Sequence, residues 1–384
     1  TGEFVTAGGL HITNSPTTLV TYDPSMADKL GIVDATSSSA RIDEHNTAGL
    51  QGSGSVTVFD IDSSDVISAR VEGFEVSGNR SLISLSDSQI RGLLSVGTSD
   101  SGALQVAKLL WNFNSGSEAF SWLSAGEELT FKYDILLSDG SGGGSHTPVT
   151  VTIVGTNLSP VILSATPAEA VNEGSVSLQT GGSVSFSDID VNDVHAARII
   201  QNTMVWTGGT LSSNTSSALW AGLKIDSTQD AEGKTYWSYH IAESAIDFIA
   251  QGQKVQLSFY VVVSDPHGGS ATKLVSLDIV GANDAPQLVQ NLTDQTTELN
   301  GIYQVNLARG ISDVDVTDTF TVSDFVYEID GQLTGANGTG LPEGLTVNGN
   351  TLSLNLKSAI YDRMVAGDEV TITVAYNVND GHGG

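Results

Sequence analysis

The sequence contains no cysteine. That excludes disulfides, thiol nucleophiles and cysteine-based zinc sites, and it leaves the compartment open. Basic residues are scarce too: 15 Lys and Arg stand against 44 Asp and Glu, a formal net charge of −29. An excess of that sign repels nucleic acid and anionic membrane surfaces, so no nucleic-acid partner is expected. Most carboxylates have no Lys or Arg to pair with. They must be solvated or meet another cation, and a divalent metal is the obvious candidate. No run approaches the roughly 18–20 apolar residues of a membrane span, so no membrane insertion is expected. No signal peptide is present and the first residue is Thr1, which reads as a piece of something longer.

What is present suits strands and turns. The 384 residues suggest two to four domains at about 100–200 residues each. Apolar residues make up 39 % and charged ones only 15 %, a balance that argues for an ordered chain. Glycine (42 residues), serine, threonine, valine and aspartate dominate.

The chain repeats itself. Asp60-Ile61-Asp62-Ser63-Ser64-Asp65 returns as Asp188-Ile189-Asp190-Val191-Asn192-Asp193 and as Asp313-Val314-Asp315-Val316-Thr317-Asp318. A second block, a Gly turn, a strand and an Asp loop, begins at Ala125, Gln251 and Ala366; its loop aspartates are Asp139, Asp265 and Asp380. A third block, a strand running into a linker, ends at Pro160 and again at Pro286, with Gly155 and Gly281 126 residues apart. A glutamate precedes each first block by 16, 15 and 15 residues: Glu44, Glu173 and Glu298. These steps divide the chain into 1–157, with an N-terminal extension of about 40 residues, 158–283 and 284–384, the last lacking its final strand.

Leu129 to Tyr133, Val255 to Phe259 and Val370 to Val374 alternate apolar with polar residues, the period of a strand with one buried face. Several such strands per module, separated by Gly, Asp and Ser turns, predict an all-β chain of antiparallel sandwiches. Trp111-Asn112-Phe113 and Trp237-Ser238-Tyr239 occupy matched positions and read as core. Helical pattern is scarce; the stretches around Phe248 and Tyr361 read as single turns.

Together and in this order, DxDxxD, WxF/Y, AGExLTxxYxxxxSDGxGG and VTVTIxGTNDAP resemble the VCBS-type, cadherin-like repeats of large type I-secreted bacterial adhesins (RTX adhesins). The resemblance covers about residues 40–384. It implies tandem Ig-like, cadherin-like β-sandwich modules arranged in line, stiffened by Ca2+, extracellular on the bacterial cell surface, and working as extenders in adhesion and biofilm. Two departures stand out. Leu158 occupies the linker position held by Asp284 in the next copy, and Pro266 replaces the usual loop glycine.

Paired aspartates two residues apart can converge on one ion at a strand end, and Ca2+ takes six to eight oxygen ligands in flexible geometry. Mg2+ demands a tighter octahedron and holds its waters. The resemblance then assigns ligand sets. One junction gathers Glu44, Asn157, Asp188, Asp190, Asp193 and Asp265. The other gathers Glu173, Asn283, Asp284, Asp313, Asp315, Asp318 and Asp380. Asp60, Asp62, Asp65 and Asp139 would form a half-site at the top of the first module. By this tally the second junction has six carboxylates and the first has five.

The seven histidines show no i, i+4 ligand pair and no HExxH. His267 and His382 lie in the Asp loops and read as exposed turn residues. No GxSxG or Walker loop occurs. Carboxylate pairs that recur once per module do not look like an active site, so the chain is not read as an enzyme. The expected partners are neighbouring modules of the same parent chain. The alternative function is a glycan- or peptide-binding sandwich, or one that grips a surface protein. It would use Trp206 and Trp220, which flank a stretch of the second module without a match in the first; exposed indoles there would favour it, and buried ones would not.

Overall fold

The computed structural model describes residues 4–5, 9–14, 18–21, 31–35, 37–45, 47–60, 66–99, 106–140, 144–225 and 233–384. It is an all-β structure divided into two compact units. One comprises 1–161, 187–195 and 264–271; the other comprises 162–186, 196–263 and 272–384.

In the first unit, two four-stranded sheets face each other. One runs in the order Gly31–Asp34, Gln51–Phe59, Val106–Asn114, Leu94–Ser99; the other runs Ser39–Asp43, Gly144–Val154, Glu128–Ser138, Ser68–Ser77. Strict alternation builds the core. Along Val106–Asn114 every second residue is buried, so Leu109, Trp111 and Phe113 point inward. The opposing sheet contributes Leu129, Phe131, Tyr133 and Ile135 from one strand and Val149, Val151 and Ile153 from its neighbour. Phe113 meets Phe131 across the sandwich with ring centroids 5.9 Å apart. A separate three-stranded antiparallel sheet, Phe4–Val5, Gly9–Asn14 and Thr18–Thr21, lies in the N-terminal stretch. Strand Gly31–Asp34, also from that stretch, pairs with Gln51–Phe59 inside the sandwich.

The second unit holds a sandwich of the same kind. Its sheets run Val161–Ala165, Gln179–Ser187, Lys234–His240, Leu223–Ile225, and Val171–Asn172, Ser270–Val280, Lys254–Ser264, Ala196–Trp206. Trp237 and Tyr239 are buried as their pattern predicts, and Trp237 meets Phe259 edge-on at 5.3 Å. Beyond residue 284, two three-stranded sheets enclose a third core around Leu307, Tyr327, Leu345, Leu352, Leu354 and Tyr361. They run Ile302–Asn306, Thr351–Asn355, Leu345–Asn348, and Gln332–Ala336, Thr321–Ile329, Ile372–Asn379. Val370, expected within the last strand, precedes it and is 37 % exposed.

Two features depart from the sequence pattern. The sheets are not wholly antiparallel: Ser39–Asp43 runs parallel to Gly144–Val154, and Val171–Asn172 runs parallel to Ser270–Val280. Two short α-helices also occur among the described residues. Asp87–Gly92 starts on a capping box in which Ser86 and Gln89 satisfy each other's backbone N–H. Ser213–Ala221 starts on Ser212, whose hydroxyl accepts from the Thr215 N–H. Five polar or small residues open that second helix, so it offers no apolar stripe to read.

Candidate metal centres

The residues predicted as ligands, where described, lie at strand ends or in the loops and linkers between strands. Asp188 follows Gln179–Ser187, and Asp313 follows Ile311–Ser312. Asp265 and Asp380 follow Lys254–Ser264 and Ile372–Asn379. The parallel pairings set the other side. Their registers place Asp43 beside Val154 and Asn172 beside Val280. One residue on, the Glu44 N–H donates to Val154 O at 2.8 Å and the Glu173 N–H donates to Val280 O at 2.9 Å. Both glutamates therefore stand at the start of a linker.

In the first unit this brings together all six residues predicted for that junction. The Thr156 hydroxyl donates to the Glu44 carboxylate at 3.0 Å, with Glu44 fully buried. Asn157 Nδ2 donates to Asp265 Oδ2 at 3.2 Å, and the Leu158 N–H donates to Asp190 Oδ2 at 2.8 Å. The Asp190 N–H reaches Asp188 Oδ1 at 3.1 Å, and the Asp193 N–H reaches Asp190 O at 3.0 Å. Carboxylate oxygens of Asp188, Asp193 and Asp265 fall within 4.8 Å of one another. Burial pushes Asp190 up to about 6; the Leu158 N–H opposes this, and Asp188, Asp193 and Glu44 add repulsion. Asp265 goes the other way. Burial would raise it, but bonds from Asn157 and from the backbone of its own loop outweigh that and hold it below the usual carboxylate range.

The second unit repeats the wiring. Asn283 Nδ2 donates to Asp380 Oδ2 at 3.0 Å, the Asp284 N–H donates to Asp315 Oδ2 at 2.9 Å, and the Asp315 N–H donates to Asp313 Oδ1 at 3.0 Å. Asp380 Oδ1 accepts from the N–H groups of His382, Gly383 and Gly384. Burial works against its charge, yet these bonds and the one from Asn283 hold it down to about 2. Glu173 Oε2 accepts from the Ala282 N–H at 2.8 Å. Burial nevertheless pushes Glu173 up to about 7, helped by repulsion from Asp284, Asp247 and Asp315. Asp284 and Asp315 are raised as well, first by burial and then by neighbouring carboxylates.

Two residues here escaped the sequence reading. Glu243 and Asp247 place carboxylate oxygens within 4.8 Å of each other and of Glu173. They sit four apart on the single turn that starts with the 3-10 segment Glu243–Ala245. That i, i+4 spacing on an expected turn was the available signal. The corresponding residues 126 positions earlier are Ser117 and Ser121, so the first site has no such group.

His267 and His382 are exposed turn residues as expected, and each ring also turns toward the third aspartate of its block, Asp193 at 3.6 Å and Asp318 at 3.1 Å. Of the half-site, Asp60 and Asp139 are buried at strand ends, while Asp62 and Asp65 lie outside the described residues. Trp206 and Trp220 pack against the core of their sandwich, and Trp206 meets Phe248 edge-on at 5.2 Å.

The chemistry of the donor sets suits a cation. Several buried oxygens find no hydrogen-bond partner: Asn157 Oδ1, Asp190 Oδ1 and Asp193 Oδ2 in the first unit, and Glu173 Oε1, Asp247 Oδ1, Asn283 Oδ1, Asp313 Oδ2 and Asp315 Oδ1 in the second. Buried acceptors left unpaired are costly, and like charges at this spacing repel by about 1 kcal/mol per pair even in water. A hard divalent cation answers both.

No protein-family model and no curated protein matches the chain. Among solved structures it is similar to PcdhgB3 EC1-4 (15 % identity, 66 % of this chain and 50 % of that one, TM-score 0.34). It is also similar to protocadherin gamma B7 extracellular cadherin domains 1-4 (13 %, 89 % and 72 %, 0.33) and to human mucin-like protocadherin EC1-2 (11 %, 67 % and 100 %, 0.29). The chain spans half the length of the first of these. The fold assignment rests on the strand order and register above.

Proposed function

We propose that this chain is a Ca2+-stiffened extender segment of a bacterial cell-surface adhesin, extracellular and structural rather than catalytic. It would be built of three modules divided near residues 157 and 283. The observation that carries the reading is the set of buried, partnerless carboxylate and carboxamide oxygens gathered around each linker. Donor sets dominated by carboxylate and carboxamide oxygens in irregular loops suit Ca2+, which accepts six to eight such ligands, better than Mg2+. The linker motif repeats the same hydrogen bonds in two copies, as expected of a joint between modules. Without an ion these joints carry unbalanced repulsion and would be loose; with one they would be stiff. The glycan- or peptide-binding alternative is less favoured, because the two tryptophans it needs are half-buried against the core of their sandwich.

The test is thermal unfolding of the metal-free chain with and without Ca2+. An ion bound only by the folded state adds about 2.7 kcal/mol at a hundredfold excess over Kd, so Ca2+ should raise Tm clearly and Mg2+ much less. Equal melting in millimolar Ca2+ and in chelator would overturn the proposal.

A further inference from the structure

Strand Lys254–Ser264 lies inside its sheet, with Ser270–Val280 on one side and Ala196–Trp206 on the other. Glu128–Ser138 is flanked in the same way, by Gly144–Val154 and Ser68–Ser77. Their counterpart Ile372–Asn379 is an edge: it pairs with Thr321–Ile329, and among the described residues no strand covers its other side. The difference shows in burial. Val255, Leu257, Phe259, Val261 and Val263 are fully buried. The residues 115 positions on are not: Val370 is 37 % exposed, and Ile372, Val374, Tyr376 and Val378 are half-buried. The stretch around Glu298, the repeat counterpart of Glu173, is bare as well. Val171 pairs with Ile279 in the second sandwich and is buried, whereas every residue of 293–300 is exposed, Leu299 at 78 %.

We propose that the free edge of Ile372–Asn379 is an acceptor for a β-strand of a second polypeptide, which runs antiparallel to it with alternate aliphatic residues turned inward. An exposed edge offers a row of unpaired N–H and C=O groups, and natural edges are blunted by lysine, proline or inward-pointing charge. Ile-Thr-Val-Ala-Tyr-Asn-Val-Asn carries none of these. An added strand gains affinity from main-chain hydrogen bonds and specificity from the pockets for its alternate side chains. The two filled sandwiches state which chemistry fits. Beside the same acceptor strand they carry Val149, Val151 and Ile153 in one and Val275, Leu277 and Ile279 in the other, all buried in the core. Each strand then reaches a glycine, Gly155 or Gly281, where a Cβ would strike a backbone oxygen. The partner is therefore an extended segment with valine, isoleucine or leucine at i, i+2 and i+4 and glycine two residues after the last. A second copy of this edge fits less well: its strand is already backed by Thr321–Ile329, and it has buried Asp380 where that glycine is needed. Neither the acceptor strand nor its partner supplies a cation ligand, so this inference and the Ca2+ reading can fail separately.

The experiment uses the full chain in Ca2+ and, as probe, a labelled synthetic peptide with the sequence of residues 270–282. Binding is measured by fluorescence anisotropy and located by hydrogen exchange. The peptide should bind saturably and slow exchange at amides of Ile372–Asn379. In the peptide, Leu277→Asp should weaken binding about tenfold or more, the worth of one buried leucine. Gly281→Ala should weaken it as well, while Ser276→Thr, on the outward face, should leave it unchanged. No binding, binding that leaves exchange at Ile372–Asn379 unaltered, or equal binding of the Leu277→Asp peptide would overturn the inference. So would sedimentation and exchange that show the chain pairing with itself through this edge before any peptide is added.

Discussion

The backbone N–H of Leu158 donates to Oδ2 of Asp190 at 2.8 Å. The linker of the second unit makes the same bond, Asp284 to Asp315, at 2.9 Å. The main chain therefore does one job at both sites, while the side chain differs: Asp284 adds a carboxylate where Leu158 adds none. Ser117 and Ser121 stand where the second site has Glu243 and Asp247, so the first site lacks those two carboxylates, although Glu127 accepts from Asn192 where the second unit has Gln253. Because ligand charge tunes Ca2+ affinity, the first site should fill at higher free Ca2+ than the second. Leu158→Asp should narrow the gap and Asp284→Leu should weaken the second site. Calorimetric titration of the full chain checks both; identical isotherms for parent and variants would contradict the account.

Metal-free stability should depend on pH in a particular direction. Glu173 is raised from 4.5 to about 7, and Asp190 from 3.8 to about 6. A carboxyl raised by folding contributes stability that is complete below its unfolded pKa and is lost as pH climbs through the folded one. Without metal, Tm should therefore fall between about pH 4.5 and 7. Bound Ca2+ needs the ionised form and should remove or reverse the trend. Glu173→Gln, a stand-in for the neutral acid, should melt higher than the parent at pH 8 without metal and gain less from Ca2+. A metal-free Tm that rises across this window would refute the assignment.

Gly281 is required for close approach. A Cβ there would lie 1.7 Å from Ile249 O, and one at Gly155 would lie 2.2 Å from Ser124 O. The obstacles are backbone oxygens, so the linker itself would have to move, at a cost of about 1–3 kcal/mol. Gly281→Ala should lower stability by that amount and also weaken Ca2+ binding, since Ala282 and Asn283 hold Glu173 and Asp380. Denaturant melts with and without Ca2+ separate the two effects.

Trp206→Ala should destabilise the second unit by about 2–3 kcal/mol, below the range for a fully buried aromatic because the indole is only partly covered. The ring lies over Gly208, where a Cβ would meet it at 2.5 Å. If Trp206 is packing, the variant should bind a glycan panel no differently from the parent. A glycan bound by the parent and lost in the variant would restore the binding-module reading.

The sequence by itself determined the strands, their inward aromatics and the repeat. Alternation along Val106–Asn114 or Val255–Phe259 is a local property, and matched spacing brings Asp188, Asp190, Asp265 and their counterparts into equivalent places wherever the fold repeats. It could not determine the parallel pairing that delivers Glu44 and Glu173 to the linkers, because pairing partners more than 100 residues apart leave no local period. The spacing of Glu243 and Asp247 could put both on one side of a turn, but could not say that the turn brings them to Glu173. The histidines are the plainest case. In the sequence His382 is one polar residue in a glycine loop, and only the tertiary structure turns its ring onto Asp318. Local spacing fixes which residues share a strand face; the direction of a loop side chain is set by what packs against it from elsewhere in the chain.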